Sequence, residues 1–188
     1  MSEHILIAAG FGGQGVMLLG QVLATAGMFD DKFTTWLPSY GPEMRGGTAN
    51  CTVVINDEPI GSPITNTPNE LIIMNIPSLA KFEGSILPGG VMIVNTSVVE
   101  RDTTRNDITV VKIDASSVAE RLGNQRIANM VVLGAYLEKT GAITLEGVKK
   151  ALEKKLLGRK ASLIDLNVEA VKAGMQAVRE SNTPRLKP

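Results

Sequence analysis

The sequence predicts an α/β protein: a single three-layer, Rossmann-like domain with a mixed, mostly parallel sheet, a β-hairpin and a helical C-terminal third. Three observations predict this class. The apolar run at residues 5–9 leads directly into a glycine-rich turn and then into a helical pattern. Short apolar runs, typical of buried strands, alternate with polar loops as far as Ile113. From Ala115 onward, apolar residues recur at helical spacing.

The first three elements are predicted as strand, helix and strand. Residues 4–9 form the first strand, and residues 13–28 form a helix in which apolar side chains recur at helical spacing. Residues 33–37, rich in residues that favour strands, form the second strand. We expect these elements to make a βαβ unit with a right-handed crossover and a sheet that is parallel at this point.

A β-hairpin is predicted next. Residues 48–55 alternate as a strand does, and residues 56–59 turn the chain back towards a second strand at residues 60–64. The sheet should therefore be mixed rather than purely parallel. Pro63 should lie on an edge strand or beyond its end, because proline has no N–H group for a central ladder.

The remaining elements repeat the order strand, polar loop and helix. Three further strands are predicted at residues 70–75, 91–94 and 109–113, with a short helix containing Leu79 and Phe82 after the first of them. Helices are predicted at residues 116–122, 127–140, 144–155 and 165–180, with Thr144 as an N-cap. Because no linker divides the chain, we expect one domain over residues 1–180 and a flexible tail at residues 181–188.

Composition and charge exclude several classes of protein. The 188 residues carry a net charge of +0 at pH 7, with a pI of about 6.6, so nothing predicts binding to nucleic acid or to an anionic membrane. The apolar run at residues 5–9 is too short for a signal peptide or a membrane span, and we expect a cytoplasmic protein. The single cysteine, Cys51, rules out an internal disulfide, a Cys-based zinc site and an iron–sulfur cluster within this chain. The single histidine, His4, is not expected to be catalytic.

The glycine-rich turn has the spacing G-x-G-x-x-G. It consists of Gly10, Phe11, Gly12, Gly13, Gln14 and Gly15. A strand before it and a helix after it favour a dinucleotide site, in which N–H groups at the helix N-terminus hold a phosphate. Two absences oppose this: the second strand ends in Trp36-Leu37-Pro38-Ser39 without an acidic residue to bind a ribose, and the turn lacks the lysine of a P-loop. A structural turn close to another chain is the other interpretation, and the Gln14 amide could reach either a ligand or neighbouring backbone.

A second irregular loop follows the second strand. Its candidate site residues are Ser39, Tyr40, Glu43, Arg45, Gly46 and Gly47. Arg45 could clamp a carboxylate or phosphate, Glu43 could pair with it, and Tyr40 could stack or donate a hydrogen bond. The alternative is a structural Glu–Arg pair. Because the loop leaves the carboxyl end of a strand, we expect it to share one crevice with the glycine turn.

Asn75, Asn95 and Cys51 each have a structural and a functional interpretation. Asn75 and Asn95 each follow a predicted strand at the same edge of the sheet. An asparagine there usually caps the next element, although it could also face a ligand. Cys51 lies on a strand and is expected to be a small buried apolar residue rather than a nucleophile.

Five motifs, taken together, carry a family resemblance. They are Gly10-Phe11-Gly12-Gly13-Gln14-Gly15; Pro38-Ser39-Tyr40-Gly41-Pro42-Glu43-Met44-Arg45-Gly46-Gly47 running into Thr48-Ala49-Asn50-Cys51; Gly61-Ser62-Pro63; Pro77-Ser78-Leu79; and Asn129-Met130. Over residues 4–174 the chain resembles the gamma subunit of 2-oxoacid:ferredoxin oxidoreductases. The run Lys81-Phe82-Glu83 is more similar to the 2-oxoglutarate type than to the pyruvate or ketoisovalerate type.

The resemblance completes the set of candidate residues. The candidate cofactor-binding or interface residues are Gly10, Gly12, Gly13, Gln14, Gly15, Ser39, Tyr40, Glu43, Arg45, Gly46, Gly47, Asn75 and Asn129. No catalytic residue and no metal ligand is assigned.

The resemblance also implies a division of labour within a complex. Such complexes decarboxylate a 2-oxoacid on thiamine diphosphate, reduce ferredoxin and deliver the acyl group to coenzyme A. The alpha and beta subunits would hold thiamine diphosphate with Mg2+, and a ferredoxin-like delta subunit would hold iron–sulfur clusters. The gamma chain, inactive alone and holding no cofactor by itself, would line or support the interface near the thiamine and coenzyme A site.

Two other functions stay open. One is a free-standing dinucleotide-binding oxidoreductase, for which tight NAD or FAD binding to the isolated chain would be the sign. The other is a purely architectural subunit, whose loops would lie far from any cofactor. The isolated chain could also self-associate.

Overall fold

A six-stranded sheet forms the centre of the molecule in a computed structural model that describes residues 3–39, 48–156 and 163–181. The strands are β1 His4–Phe11, β2 Phe33–Ser39, β3 Thr48–Asn56, β4 Glu70–Ile73, β5 Val91–Asn95 and β6 Thr109–Ile113. The helices are α1 Val16–Phe29, α2 Ile76–Phe82, α3 Ala115–Arg121, α4 Ala128–Thr140, α5 Leu145–Lys155 and α6 Ile164–Glu180, with a 3-10 turn at Gln125–Ile127 before α4.

The strand order in the sheet is β2-β3-β1-β4-β5-β6. The strands β1, β4, β5 and β6 pair in parallel, whereas β3 is antiparallel to both of its neighbours, β1 and β2. Three of the five strand pairings are therefore parallel. This confirms the predicted α/β class with a mixed, mostly parallel sheet.

The pairing around β3 differs from the prediction in two ways. No strand forms at residues 60–64, so the predicted hairpin partner is wrong. Gly61 weakens a strand and Pro63 has no N–H group to donate to a neighbouring strand. The antiparallel partners of β3 are β2 and β1 instead. The predicted parallel contact between β1 and β2 is also wrong, because β3 lies between them, although the two strands do point in the same direction.

The helices cover the two faces of the sheet unequally. Side chains of α1, α3, α4, α5 and α6 share one apolar core with one face of the sheet. On the opposite face, Leu79 and Phe82 of α2 pack on Ile7, Leu71 and Met92 in a second, smaller core. The result is a three-layer arrangement with a thick helical layer and a thin one.

Side-chain caps fix the starts of several helices where the sequence places them. The hydroxyl of Thr144 accepts a hydrogen bond from Gly147 N at 3.0 Å, which confirms this residue as the N-cap of α5. The carboxylate of Asp114 caps α3 in the same way, through Ser117 N. The helix α4 is apolar nearly all round and buried, as its composition predicts, and Gly141, whose φ is +66°, is its C-cap.

The described residues contain no helix that is long and apolar enough to span a membrane. That residues 1–180 behave as one domain stays a prediction. Except for Ser181, the predicted flexible tail lies outside the described residues.

Candidate functional site

The candidate site lies where the chain leaves adjacent parallel strands towards opposite faces of the sheet. After β1 the chain enters α1 on the thick helical layer, and after β4 it enters α2 on the opposite face. Such a switch point opens a crevice at the carboxyl ends of the strands, which is where open α/β sheets bind ligands. We call this space the switch-point crevice. The glycine turn, residues 10–15, leads from β1 into α1 at this point, and residues 75–78 lead from β4 into α2.

Glycines in the turn are required both by backbone geometry and by space. Gly13 and Gly15 have φ angles of +96° and +77°, in the left-handed region that favours glycine. At Gly10, a Cβ atom would lie 2.6 Å from Gln14 Oε1 and 2.9 Å from Met74 Cβ. The turn therefore approaches the end of β4 closely, and α1 begins after Gly15 with no side-chain cap among the described residues. Gly12 lies exposed in the turn.

The side chain of Gln14 folds back onto the turn itself. Its Oε1 atom accepts a hydrogen bond from Phe11 N at 2.6 Å. Of the two roles that the sequence left open, the structure shows contact with neighbouring backbone. This bond closes the turn before α1 begins and occupies the acceptor atom of the amide.

Asn129 of α4 is distant from the glycine turn in sequence but contacts it in the fold. It lies in the first turn of α4, is 3% exposed, and donates through Nδ2 to Gly15 O at 3.1 Å. Asn129 entered the candidate set only through the family resemblance, and no pattern within the sequence itself pointed to it. The contact spans 114 positions, and periodicity within one helix cannot reveal it.

Asn75 forms the β4 side of the switch-point crevice and caps α2. It is 1% exposed, and its Oδ1 accepts from Ser78 N at 2.7 Å. The capping interpretation therefore holds for Asn75. Asn95, the last residue of β5, accepts from Ser97 N in the turn that follows and from Ala115 N at the start of α3, whose N-cap is Asp114. The Nδ2 of Asn75 and the Oγ of Ser78 are buried without a hydrogen-bond partner in the part of the chain that the structure describes.

The ends of the second loop come to the same edge of the sheet as the glycine turn. Ser39, at the exposed end of β2, lies opposite Asn50 of β3, and Thr48 of β3 lies opposite Phe11. The two described ends of the loop therefore lie beside the turn, and the expectation that the loop shares a crevice with the turn stays a prediction. The candidate residues Tyr40, Glu43, Arg45, Gly46 and Gly47 lie outside the described residues.

Cys51 is a buried apolar residue, as predicted. It is 0% exposed, and burial raises the pKa of its thiol to about 11, partly offset by a contact with Trp36. A thiol that keeps its proton at neutral pH is a poor nucleophile. Within residues 3–39, 48–156 and 163–181, no three His, Cys, Asp or Glu side chains are grouped so that they could hold a metal ion.

The sequence analysis did not predict a buried polar network at the amino-terminal ends of β1 and β4. Both oxygens of the Glu70 carboxylate are bonded at 2.6 Å, one to His4 Nδ1 and the other to the Tyr136 hydroxyl. Burial, and then the charge of Glu70, raise the pKa of Tyr136 well above its ordinary value. A tyrosine within the apolar helix α4 was the one available signal. His4 is the first residue of β1, so it lies at the end of that strand remote from the glycine turn.

Comparison with known proteins gives one family. Residues 5–177 match the family described as pyruvate ferredoxin/flavodoxin oxidoreductase. The chain is 37% identical over 175 residues to the ketoisovalerate oxidoreductase subunit VorA of Methanothermobacter marburgensis. That match covers 92% of this chain and 36% of VorA, so the chain spans about a third of that relative's length.

Two other similar proteins match along nearly their whole length. The 2-oxoglutarate synthase subunit KorC of Methanothermobacter marburgensis is 33% identical over 187 residues, covering 96% of this chain and 98% of KorC. The crystal structure of a keto/oxoacid ferredoxin oxidoreductase gamma subunit from Geobacter sulfurreducens superposes with a TM-score of 0.80 at 26% identity. It covers 94% of this chain and 99% of that subunit.

Proposed function

The chain belongs to the pyruvate ferredoxin/flavodoxin oxidoreductase family, and from that premise we propose that it is the gamma subunit of a multi-subunit 2-oxoacid:ferredoxin oxidoreductase. The assembled enzyme would oxidatively decarboxylate a 2-oxoacid to an acyl-coenzyme A and carbon dioxide, passing the electrons to ferredoxin. The observation that carries the proposal is the match to KorC and to the gamma subunit of Geobacter sulfurreducens over nearly the whole of each protein.

The proposed substrate is 2-oxoglutarate. The run Lys81-Phe82-Glu83 supports it, as does the similarity to KorC, which is named as a 2-oxoglutarate synthase subunit. Ketoisovalerate is the second candidate, because VorA is the more similar of the two relatives in percentage identity.

The proposed cofactors are held by partner subunits. The alpha and beta subunits would hold thiamine diphosphate and Mg2+, and a ferredoxin-like delta subunit would hold iron–sulfur clusters. The single cysteine of this chain supports that division, because a cluster needs several thiolates. We expect the complex to work in the cytoplasm without a nucleic-acid or membrane partner.

The proposed role of the switch-point crevice is to line the interface near the thiamine and coenzyme A site. Two features support it: the crevice lies at the switch point of the sheet, and the uncapped N-terminus of α1 there favours an anion such as a phosphate of coenzyme A. A purely architectural role is the second candidate. It is favoured by Gln14 and Asn129, whose side chains bond to backbone of the same chain.

The test is an assay of the purified complex with its co-eluting subunits. We expect ferredoxin or viologen reduction that requires coenzyme A and is fastest with 2-oxoglutarate among 2-oxoglutarate, pyruvate and branched oxoacids. Activity with none of these would overturn the proposed function.

Variants at the candidate site test its placement. Arg45→Ala and Gln14→Ala should raise the KM for coenzyme A, whereas Lys150→Ala, on the exposed face of α5, serves as a control that should leave it unchanged. If Arg45→Ala and Gln14→Ala left both assembly and coenzyme A-dependent turnover unchanged, the architectural role would be the correct one.

A further inference from the structure

The contact between Asn129 and the glycine turn joins two distant parts of the chain at the switch-point crevice. The carbonyl oxygen of Gly15 accepts two hydrogen bonds, from Leu19 N at 2.9 Å and from Asn129 Nδ2 at 3.1 Å. The first bond is the ordinary start of α1. The second comes from another helix, and its donor residue Asn129 is 3% exposed, so the bond is partly shielded from water.

The turn and Asn129 are matched in shape as well as in hydrogen bonding. A Cβ atom at Gly15 would collide with Asn129 Nδ2 and would lie 2.9 Å from its Cγ. A glycine leaves room for the amide, and the N–H group of that amide gives the Gly15 carbonyl a second donor beside Leu19 N. The left-handed backbone of Gly15 is thus held at a fixed distance from α4.

We propose that Asn129 is a positioning residue, which holds the glycine turn in the conformation that the crevice needs without itself contacting a ligand. The Gly15 peptide is the last unit before α1, so fixing its carbonyl also fixes the direction of the first free N–H groups of that helix. This inference rests on the proposed function, in which those groups face coenzyme A.

A matched pair of variants separates positioning from general packing. Asn129→Asp keeps the shape of the side chain but replaces the N–H donor with an oxygen that repels the Gly15 carbonyl. Asn124→Asp, five positions earlier, is the control: Asn124 Oδ1 accepts from Arg126 N at 3.0 Å, and an aspartate oxygen can accept the same bond.

The first readout is the kinetics of the assembled complex. Asn129→Asp should raise the KM for coenzyme A by about tenfold, because the loss of one hydrogen bond changes a binding constant on this scale, and should leave kcat within about twofold. Asn124→Asp should match the wild type in both. An unchanged KM in a properly assembled Asn129→Asp complex would contradict the proposal.

The second readout needs no partner and no substrate. In the full chain, amide hydrogen exchange at Leu19 should become about fivefold faster in Asn129→Asp, measured against Ile93 in the centre of the sheet, because local opening sets the rate. If Leu19 exchanged at the wild-type rate, the positioning role would be wrong. A faster rate at Leu19 with a wild-type complex inactive on every oxoacid would overturn the proposed function alone. Should Asn129→Asp fail to fold, Asn129→Ala removes the same donor without adding charge.

Discussion

At the scale of single residues, Gly15 combines a left-handed backbone with a lack of space. Replacing it with alanine adds strain at φ +77° and a collision with the Asn129 side chain. We expect Gly15→Ala to lower the free energy of unfolding by about 2–4 kcal/mol in urea titrations, combining backbone strain with overpacking.

Gly13 provides the matched control for that prediction. Its φ is +96°, but a Cβ atom there would meet nothing within 4 Å. Gly13→Ala should therefore show the backbone cost alone, and the difference between the two variants measures the collision. Equal losses of stability in Gly13→Ala and Gly15→Ala would show that Asn129 does not crowd the turn.

Cys51 should make the free energy of unfolding depend on pH in the alkaline range. Burial raises the pKa of its thiol from 9.0 to about 11. The folded chain therefore binds more protons than the unfolded chain within that window, and its stability should fall as the pH rises from 9 to 11, by about 2–3 kcal/mol.

The control for this pH dependence is Cys51→Ala, followed by urea unfolding at pH 8, 9, 10 and 11. This variant should lose less stability than the wild type between pH 9 and 11. Tyr136, whose pKa is raised above its usual 10.0, adds a fall at high pH that both proteins share. Parallel curves for the two proteins would show that the thiol does not titrate as described.

At the scale of elements, the crossing of α4 and α6 depends on two reciprocal glycines. A Cβ atom at Gly134 would collide with Val171 O, and one at Gly174 would collide with Val131 O. Each helix thus presses its backbone onto a glycine of the other. Gly174→Ala should cost about 1–3 kcal/mol of unfolding free energy, because rigid backbone atoms cannot move aside.

Gly84 is the control for the helix crossing. A Cβ atom there meets nothing within 4 Å, so Gly84→Ala should change the unfolding free energy by less than about 0.5 kcal/mol. Thermal or urea unfolding of both variants checks the prediction. If Gly174→Ala were as stable as Gly84→Ala, the close approach of the helices would not be needed.

The elements themselves could be predicted from the sequence far better than their partners could. The last strand, Thr109–Ile113, and the cap at Thr144 were predicted at the residues where they occur. The pairing of β3 was not, because alternation identifies a strand but leaves its neighbours open. The site shows the same limit: spacing predicts the glycine turn, whereas Asn129 and Gly15 meet only through the fold.

At the scale of the whole molecule, the network of His4, Glu70 and Tyr136 ties two strands to the helical layer. Tyr136→Phe should cost about 1–3 kcal/mol of unfolding free energy, since it leaves one Glu70 oxygen buried without its hydroxyl donor. Urea unfolding of Tyr136→Phe, Glu70→Gln and the double variant measures the coupling between the two residues. Strictly additive losses would show that the bond between them contributes nothing to stability.

The position of β1 has a consequence for biosynthesis. It is translated before both of its neighbours in the sheet, β3 and β4, and lies between them. Its apolar residues therefore stay without partners until Ile55, which pairs with His4, and Leu71, which pairs with Ile7, have left the ribosome. Nascent chains that pause in this interval expose an unpaired strand, so they are the ones most dependent on chaperones.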